Sequence, residues 1–88
     1  MLPKEAFDAI QTAIAADAGK RMVDARYWPE VFGNFIVAFE EDGRPKSIVC
    51  DRFELVVCED LQGERGCRTV LRSVRETEPS EVLKTLGL

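Results

Sequence analysis

Apolar side chains alternate with other residues in three short runs in the middle of the chain. The runs cover residues 35–40, 47–50 and 53–58, and they are rich in β-branched and aromatic side chains. Asp42-Gly43 stands between the first two runs, and this dipeptide adopts the positive φ angles of a two-residue hairpin turn. The pattern therefore predicts an antiparallel meander rather than a helical or a parallel α/β fold.

The register of the meander follows from its turns. With Asp42 and Gly43 as one loop, Phe35 lies opposite Cys50; with Asp51 and Arg52 as a second loop, Cys50 lies opposite Phe53. Since side chains alternate between the two faces of a strand, both loops predict one shared apolar face. Its members are Phe35, Val37, Phe39, Ile48, Cys50, Phe53, Leu55 and Val57. The opposite face has a smaller apolar patch of Ile36, Ala38, Val49 and Val56.

Helical patterns flank the meander. Pro3 and the apolar spacing that follows predict a helix over residues 3–18, with Gly19 as its left-handed C-cap. Residues 23–27 give a weak strand signal. Apolar residues from Cys67 to Val74 have helical spacing, and Pro79 opens a last short helix that Gly87 ends. Residues 1–88 thus predict a single α+β domain with an N-terminal helix, a three- or four-stranded antiparallel meander and one or two C-terminal helices.

Acidic residues are concentrated in the middle of the chain. The net charge is −4, yet residues 30–60 contain eight acidic and three basic residues, while both flanks are near neutral. Since the third run is parallel to the first, two acidic clusters should lie at one end of the sheet; they are Glu40, Glu41, Asp42, Glu59 and Asp60. Such a field favours a basic protein partner and disfavours nucleic acid. The alternative is ordinary solubility charge.

The chain has no histidine, which removes the commonest general base and metal ligand. No cysteine pair has zinc-site spacing, and no glycine-rich phosphate loop is present. We therefore expect no catalytic residue, no cofactor and no metal. Cys50 is expected to be buried, on the face opposite Cys58, and Cys67 to belong to the core of a helix. Three free thiols, with no signal peptide and no membrane span, predict a cytoplasmic protein.

Three further features each leave alternatives open. Arg68, Arg72 and Arg75 have helical spacing, which fits either a solvated helix face or a site for phosphate or an acidic partner. A cluster of aromatic residues either anchors an interface or covers the edge of the core; its members are Tyr27, Trp28 and Phe32. The apolar patch on the second sheet face, if the helices leave it bare, favours a homodimer.

Phe32-Gly33-Asn34 precedes an alternating strand, and Val49-Cys50-Asp51-Arg52 precedes another. This arrangement over residues 31–58 resembles small uncharacterised bacterial proteins, some of which are similar to immunity proteins of toxin systems in size and acidity. The resemblance implies an inhibitory or scaffolding role in protein–protein interaction and no catalytic residues. We therefore expect a non-enzymatic protein-binding module, an immunity-type inhibitor of a basic partner. The alternatives are a homodimeric structural protein and a small-ligand sensor that uses Asn34, Asp51 or Arg52.

Overall fold

The computed structural model describes residues 1–61 and 63–88, and there it has two α-helices and a five-stranded antiparallel sheet. The strands follow one another across the sheet in chain order, so the meander prediction and the α+β class are confirmed. The predicted strand number is wrong, because the sheet has five strands instead of three or four. The elements are α1 (Pro3–Ala15), β1 (Lys20–Trp28), β2 (Asn34–Glu41), β3 (Arg44–Asp51), β4 (Glu54–Leu61), β5 (Glu64–Leu71), a 3₁₀ helix (Val74–Glu76) and α2 (Pro79–Leu86).

Helix α1 begins where the sequence predicts and ends early. Pro3 occupies its first turn, and the Glu5 carboxylate accepts a hydrogen bond from the Leu2 backbone N–H at 3.2 Å. The helix ends at Ala15 because the Asp17 carboxylate accepts from the Gly19 N–H at 2.8 Å and so forms a local turn. Gly19 is therefore not the C-cap, and β1 begins at the next residue.

Both helices pack on the same face of the sheet, called here the inner face. Helix α1 contacts β1 and β2, and α2 contacts α1 and β5. The face assignment for the three central strands is confirmed, since that face supplies half of the core. The core residues are Ala6, Phe7, Ile10, Ile14, Phe35, Val37, Phe39, Ile48, Cys50, Leu55, Val74 and Val82. The other sheet surface, called the outer face, has no helix on it among the described residues.

The predicted pairing of β2 with β3 is confirmed, and that of β3 with β4 is displaced by two residues. Cys50 lies opposite Leu55 instead of Phe53, because the turn consists of Arg52 and Phe53, with φ angles of 49° and 71°. The Asn34 side chain holds this turn: its Oδ1 accepts from the Arg52 N–H at 2.8 Å, and its Nδ2 donates to Asp51 at 3.3 Å. A shift of two residues preserves the alternation, so each side chain stays on its predicted face.

The predicted helix after Gly66 is wrong, because Glu64–Leu71 is the edge strand β5. A β-bulge explains the misleading spacing. Thr69 lies opposite Val56 while Leu71 lies opposite Leu55, so Val70 is an extra residue on β5. An inserted residue changes the spacing of apolar positions from two towards three or four, which imitates a helix. The predicted row of arginines on one helix face does not exist as a consequence.

The last helix is confirmed. Val82 is fully buried, and Leu83 and Leu86 pack against the core. Gly87 has a φ of 74° and its N–H donates to the Lys84 carbonyl at 3.1 Å, which ends α2 as predicted. Within the described residues no helix is long and apolar enough to cross a membrane.

Candidate functional site

The outer face has an apolar centre. Alternation along β2, β3 and β4 brings the second patch together on adjacent strands, where Ile36 lies opposite Val49 and Val49 lies opposite Val56. These three side chains and Ala38 are half-buried, although both helices lie on the other side of the sheet. The centre of the outer face is therefore an apolar surface that the described part of the chain leaves uncovered.

The charged side chains around this apolar centre have partners within the chain. These contacts are Asp24–Arg26 at 2.9 Å, Arg21–Glu40 at 2.9 Å, Arg65–Ser47 at 3.3 Å and Thr69–Glu54 at 3.1 Å. Ser47 is itself buried, so the Arg65 contact satisfies its hydroxyl. The surroundings of the apolar centre are thus polar, and two of these four contacts, Asp24–Arg26 and Arg21–Glu40, are ion pairs.

The five acidic residues Glu40, Glu41, Asp42, Glu59 and Asp60, called here the acidic end, lie at one end of the sheet. The pairing of Lys46 with Glu59 across β3 and β4 places the end of β4 beside the β2–β3 turn. An open depression of about 300 Å³ lies between the two clusters. Its lining residues are Glu41, Asp42, Arg44, Pro45, Lys46, Glu59 and Asp60.

Lysines neutralise part of the acidic end. The Glu41 carboxylate accepts from the Lys20 ammonium at 2.9 Å and from the Lys46 ammonium at 2.7 Å, and Lys46 also lies 3.8 Å from Glu59. Hydrogen bonds from Lys20 and Lys46 lower the pKa of Glu41 below its usual value. Lys20 hydrogen-bonds to Asp17 as well, and that bond is the main cause of the raised pKa of Lys20. The negative field at this end is therefore weaker than the count of acidic residues suggests.

Two carboxylates of the acidic end are available for a partner. Asp42 and Asp60 are exposed, and neither forms an ion pair with any of the residues that the structure describes. A second depression, of about 320 Å³, connects Asp60 with the apolar centre and includes Ile36, Ala38 and Arg65 among its lining residues. The acidic end thus continues into the outer face.

Cys58 and Cys67 form a disulfide between β4 and β5. They are directly opposed in the ladder, with Cα atoms 4.1 Å apart. The expectations of three free thiols and of Cys67 in a helix core are therefore wrong. One sequence signal indicates the pair. Cys58 lies four positions before residue 62, and Cys67 lies four positions after Gly63, which favours a turn. A two-residue turn at positions 62 and 63 would therefore predict that the two cysteines lie opposite each other.

Cys50 is the free cysteine, buried on the inner face as predicted. Burial raises the pKa of its thiol to about 11, so the thiolate is scarce at neutral pH. Because the pairing puts Cys50 and Cys58 on opposite faces, Cys50 does not exchange with the disulfide in the folded protein. This thiol is a packing group rather than a nucleophile.

The aromatic residues before β2 lie in two environments, one at the edge of the core and one at the exposed surface. Tyr27 covers the core edge, with its ring 5.5 Å from that of Phe7. Trp28 and Phe32 are 44% and 58% exposed, which fits an interface. The Phe32 ring lies edge-on to Phe53 at 6.2 Å. These residues lie at the end of β2 opposite the acidic end.

Two of the side chains that a small-ligand sensor would use, Asn34 and Asp51, are hydrogen-bonded to each other. The Asn34 amide holds both Asp51 and the backbone of Arg52 in the β3–β4 turn. Of the arginines with helical spacing, Arg75 places its guanidinium 4.5 Å from the centre of the Phe53 ring. In the described residues no three histidine, cysteine, aspartate or glutamate side chains form a group suited to a metal ion.

Comparison with known proteins identifies no family: no family model, no curated protein and no solved structure matches the chain. The resemblance over residues 31–58 therefore rests on its short motifs alone. The surfaces described above are what indicate a function.

Proposed function

We propose that this chain is a small non-enzymatic protein-binding module that uses the acidic end to bind a basic protein. One observation carries the proposal. Two carboxylate clusters from separate strands border one open depression, and two exposed carboxylates, Asp42 and Asp60, remain without an ion pair among the described residues. A lysine or arginine side chain entering this depression would gain charge-assisted hydrogen bonds from both.

Lys46, the lysine that lines the depression, supports binding rather than opposes it. Its ammonium lies 2.7 Å from Glu41 and 3.8 Å from Glu59 and restricts both carboxylates, so less side-chain freedom is lost when a partner docks. Asp42 and Asp60 stay hydrated before binding, which keeps their charge effective in steering a basic partner at long range. The overall charge of −4 acts in the same direction.

Size and acidity favour an inhibitory role among the functions open to such a module. A compact chain of 88 residues with an acidic edge fits one that blocks the basic site of a larger protein, as immunity proteins of toxin systems do. The acidic end would then occupy the surface that the basic protein uses for an anionic substrate. This role rests on the chemistry of the acidic end and on the motif resemblance.

The test compares charge reversal at two ends of the molecule. The parent chain is used to capture a basic partner from the native host, and the affinity for the purified partner is then measured at low and high salt. Asp42→Lys/Asp60→Lys should weaken binding at least tenfold at low salt. The matched control is Glu30→Lys/Glu76→Lys, which makes the same charge change in exposed residues away from the acidic end.

Two results would contradict the proposal. One is equal loss of affinity in the test variant and the control, because overall charge would then explain the effect. The other is an affinity independent of salt, since exposed charges are screened within about 10 Å at 0.1 M. Thermal unfolding of both variants, with midpoints near that of the parent, shows that the comparison is between folded proteins.

A further inference from the structure

We infer that the outer face is an interface with a second copy of this chain, so that two sheets pack face to face as a sandwich. The helices lie on the inner face, and the row of Ile36, Val49 and Val56 is left uncovered at the centre of the outer face. Two sheets with apolar inner surfaces pack about 10 Å apart and interdigitate their side chains. The surface involved adjoins the depression of the acidic end, and Asp60 belongs to both.

The area of the outer face suits a dimer. Five strands spaced about 4.8 Å apart, each with eight or nine residues at roughly 3.3 Å, give a surface on the order of 600 Å² per copy. Packing two copies would bury on the order of 1,200 Å², which reaches the size expected of a specific interface.

Charge identifies a second copy rather than a charged partner as the occupant. The outer face carries charges of both signs around its apolar centre. Asp24 and Arg26 form an ion pair, whereas Arg65 donates to the neutral Ser47 hydroxyl. Neither Arg65 nor Asp60 forms an ion pair among the described residues, and both line the depression that reaches the apolar centre. A surface of mixed sign can pair its charges with those of a second copy, since a twofold contact brings the same patch together from both sides.

The acidic ends determine how the two copies are arranged. Asp60 lies on the outer-face side of the acidic end, so copies with their acidic ends together would repel one another. A twofold axis across the strands puts the two acidic ends at opposite ends of the dimer. In this arrangement the acidic end of each copy lies beside the Trp28 end of its partner, and Asp42, in the β2–β3 turn, stays available to basic partners.

The test is sedimentation equilibrium from about 1 µM to 1 mM, a range that covers weak and moderate dimers. Trp28 is the only tryptophan and lies at the margin of the outer face, so its emission should shift to the blue as dimers form. Val49→Arg should weaken the dimer at least tenfold. Its matched control is Val31→Arg, which alters an exposed valine in the β1–β2 connection and should dimerise like the parent.

A second variant tests the same face in case Val49→Arg does not fold. Thr69 is exposed on β5 opposite Val56, so Thr69→Arg adds a long charged side chain to the face without disturbing the core, and it should weaken the dimer too. A parent that is monomeric at every concentration would overturn the inference. So would a dimer that Val31→Arg weakens as much as Thr69→Arg does. Asp42→Lys, which changes only the β2–β3 turn, should leave the dimer intact, and this separates the interface from the acidic end.

Discussion

Loss of the Cys58–Cys67 disulfide should destabilise the fold by an amount that the loop length determines. The two residues are nine positions apart. A crosslink that closes a loop of this length restricts the unfolded chain, and so raises the free energy of unfolding by about 3 kcal/mol at 25 °C. For a domain of this size that corresponds to a fall of roughly 15 °C in the melting temperature. The affected structure is the edge strand β5, whose exposed first half contacts the sheet only through β4.

The assay combines a thiol count with thermal unfolding. In denaturant without reductant, air-oxidised protein should show one reactive thiol, that of Cys50, and after treatment with a dithiol it should show three. The dithiol should lower the melting temperature of the parent. In a Cys58→Ala/Cys67→Ala variant the same treatment should change nothing, since Cys50 has no partner among the described residues.

Two results would refute this reasoning. Three reactive thiols in the oxidised protein would mean that the pair does not form. One reactive thiol together with a melting temperature unaffected by the dithiol would mean that β4 and β5 are held equally well without the bond. The second result would show that the bulged ladder between these strands is stable by itself.

Three further predictions follow from single contacts. Leu55→Ala removes a fully buried side chain and should cost about 2–5 kcal/mol in denaturant unfolding; a midpoint equal to that of the parent would mean that the inner face is misassigned. Asn34→Ala removes the acceptor of the Arg52 N–H and should cost about 1 kcal/mol, whereas no loss would show that the β3–β4 turn holds itself. The lowered pKa values of Asp17 and Glu41 stabilise the fold above their ordinary values of 3.8 and 4.5, and that contribution is lost as the pH falls through the lower folded values. Glu41→Gln should therefore reduce the acid sensitivity of the unfolding midpoint, and an unchanged pH profile would contradict the ion-pair assignment.

The parts of the fold that were predictable have strong local causes. Asp42-Gly43 defines one turn, and with it the complete β2–β3 register. Pro79 and Gly87 mark the two ends of α2 by backbone conformation alone. The sequence predicts the inner face correctly even though the second predicted turn is wrong. The error in the β3–β4 register is two residues, and side chains alternate between the two faces with a period of two.

The parts that were missed depend on distant contacts. The turn at Arg52 and Phe53 is held by the side chain of Asn34, 18 positions away from Arg52, and no local signal shows that contact. The bulge at Val70 becomes visible only when β5 is aligned with β4. Among the candidate site residues, the acidic end lies together as expected. Lys20, which neutralises Glu41, comes from the start of β1, before the weak strand signal of residues 23–27.

The helices cover one face of the sheet and leave the other open, and one measurement tests this arrangement directly. Methyl groups of isoleucine, valine and leucine are observed by NMR in dilute protein with a neutral soluble paramagnetic probe. The methyl signals of Ile36, Val49 and Val56 should broaden strongly, while those of Val37 and Leu55 should remain sharp. Equal protection of both sets in a sample shown to be monomeric would mean that another part of the chain covers the outer face, and would contradict packing on the inner face alone.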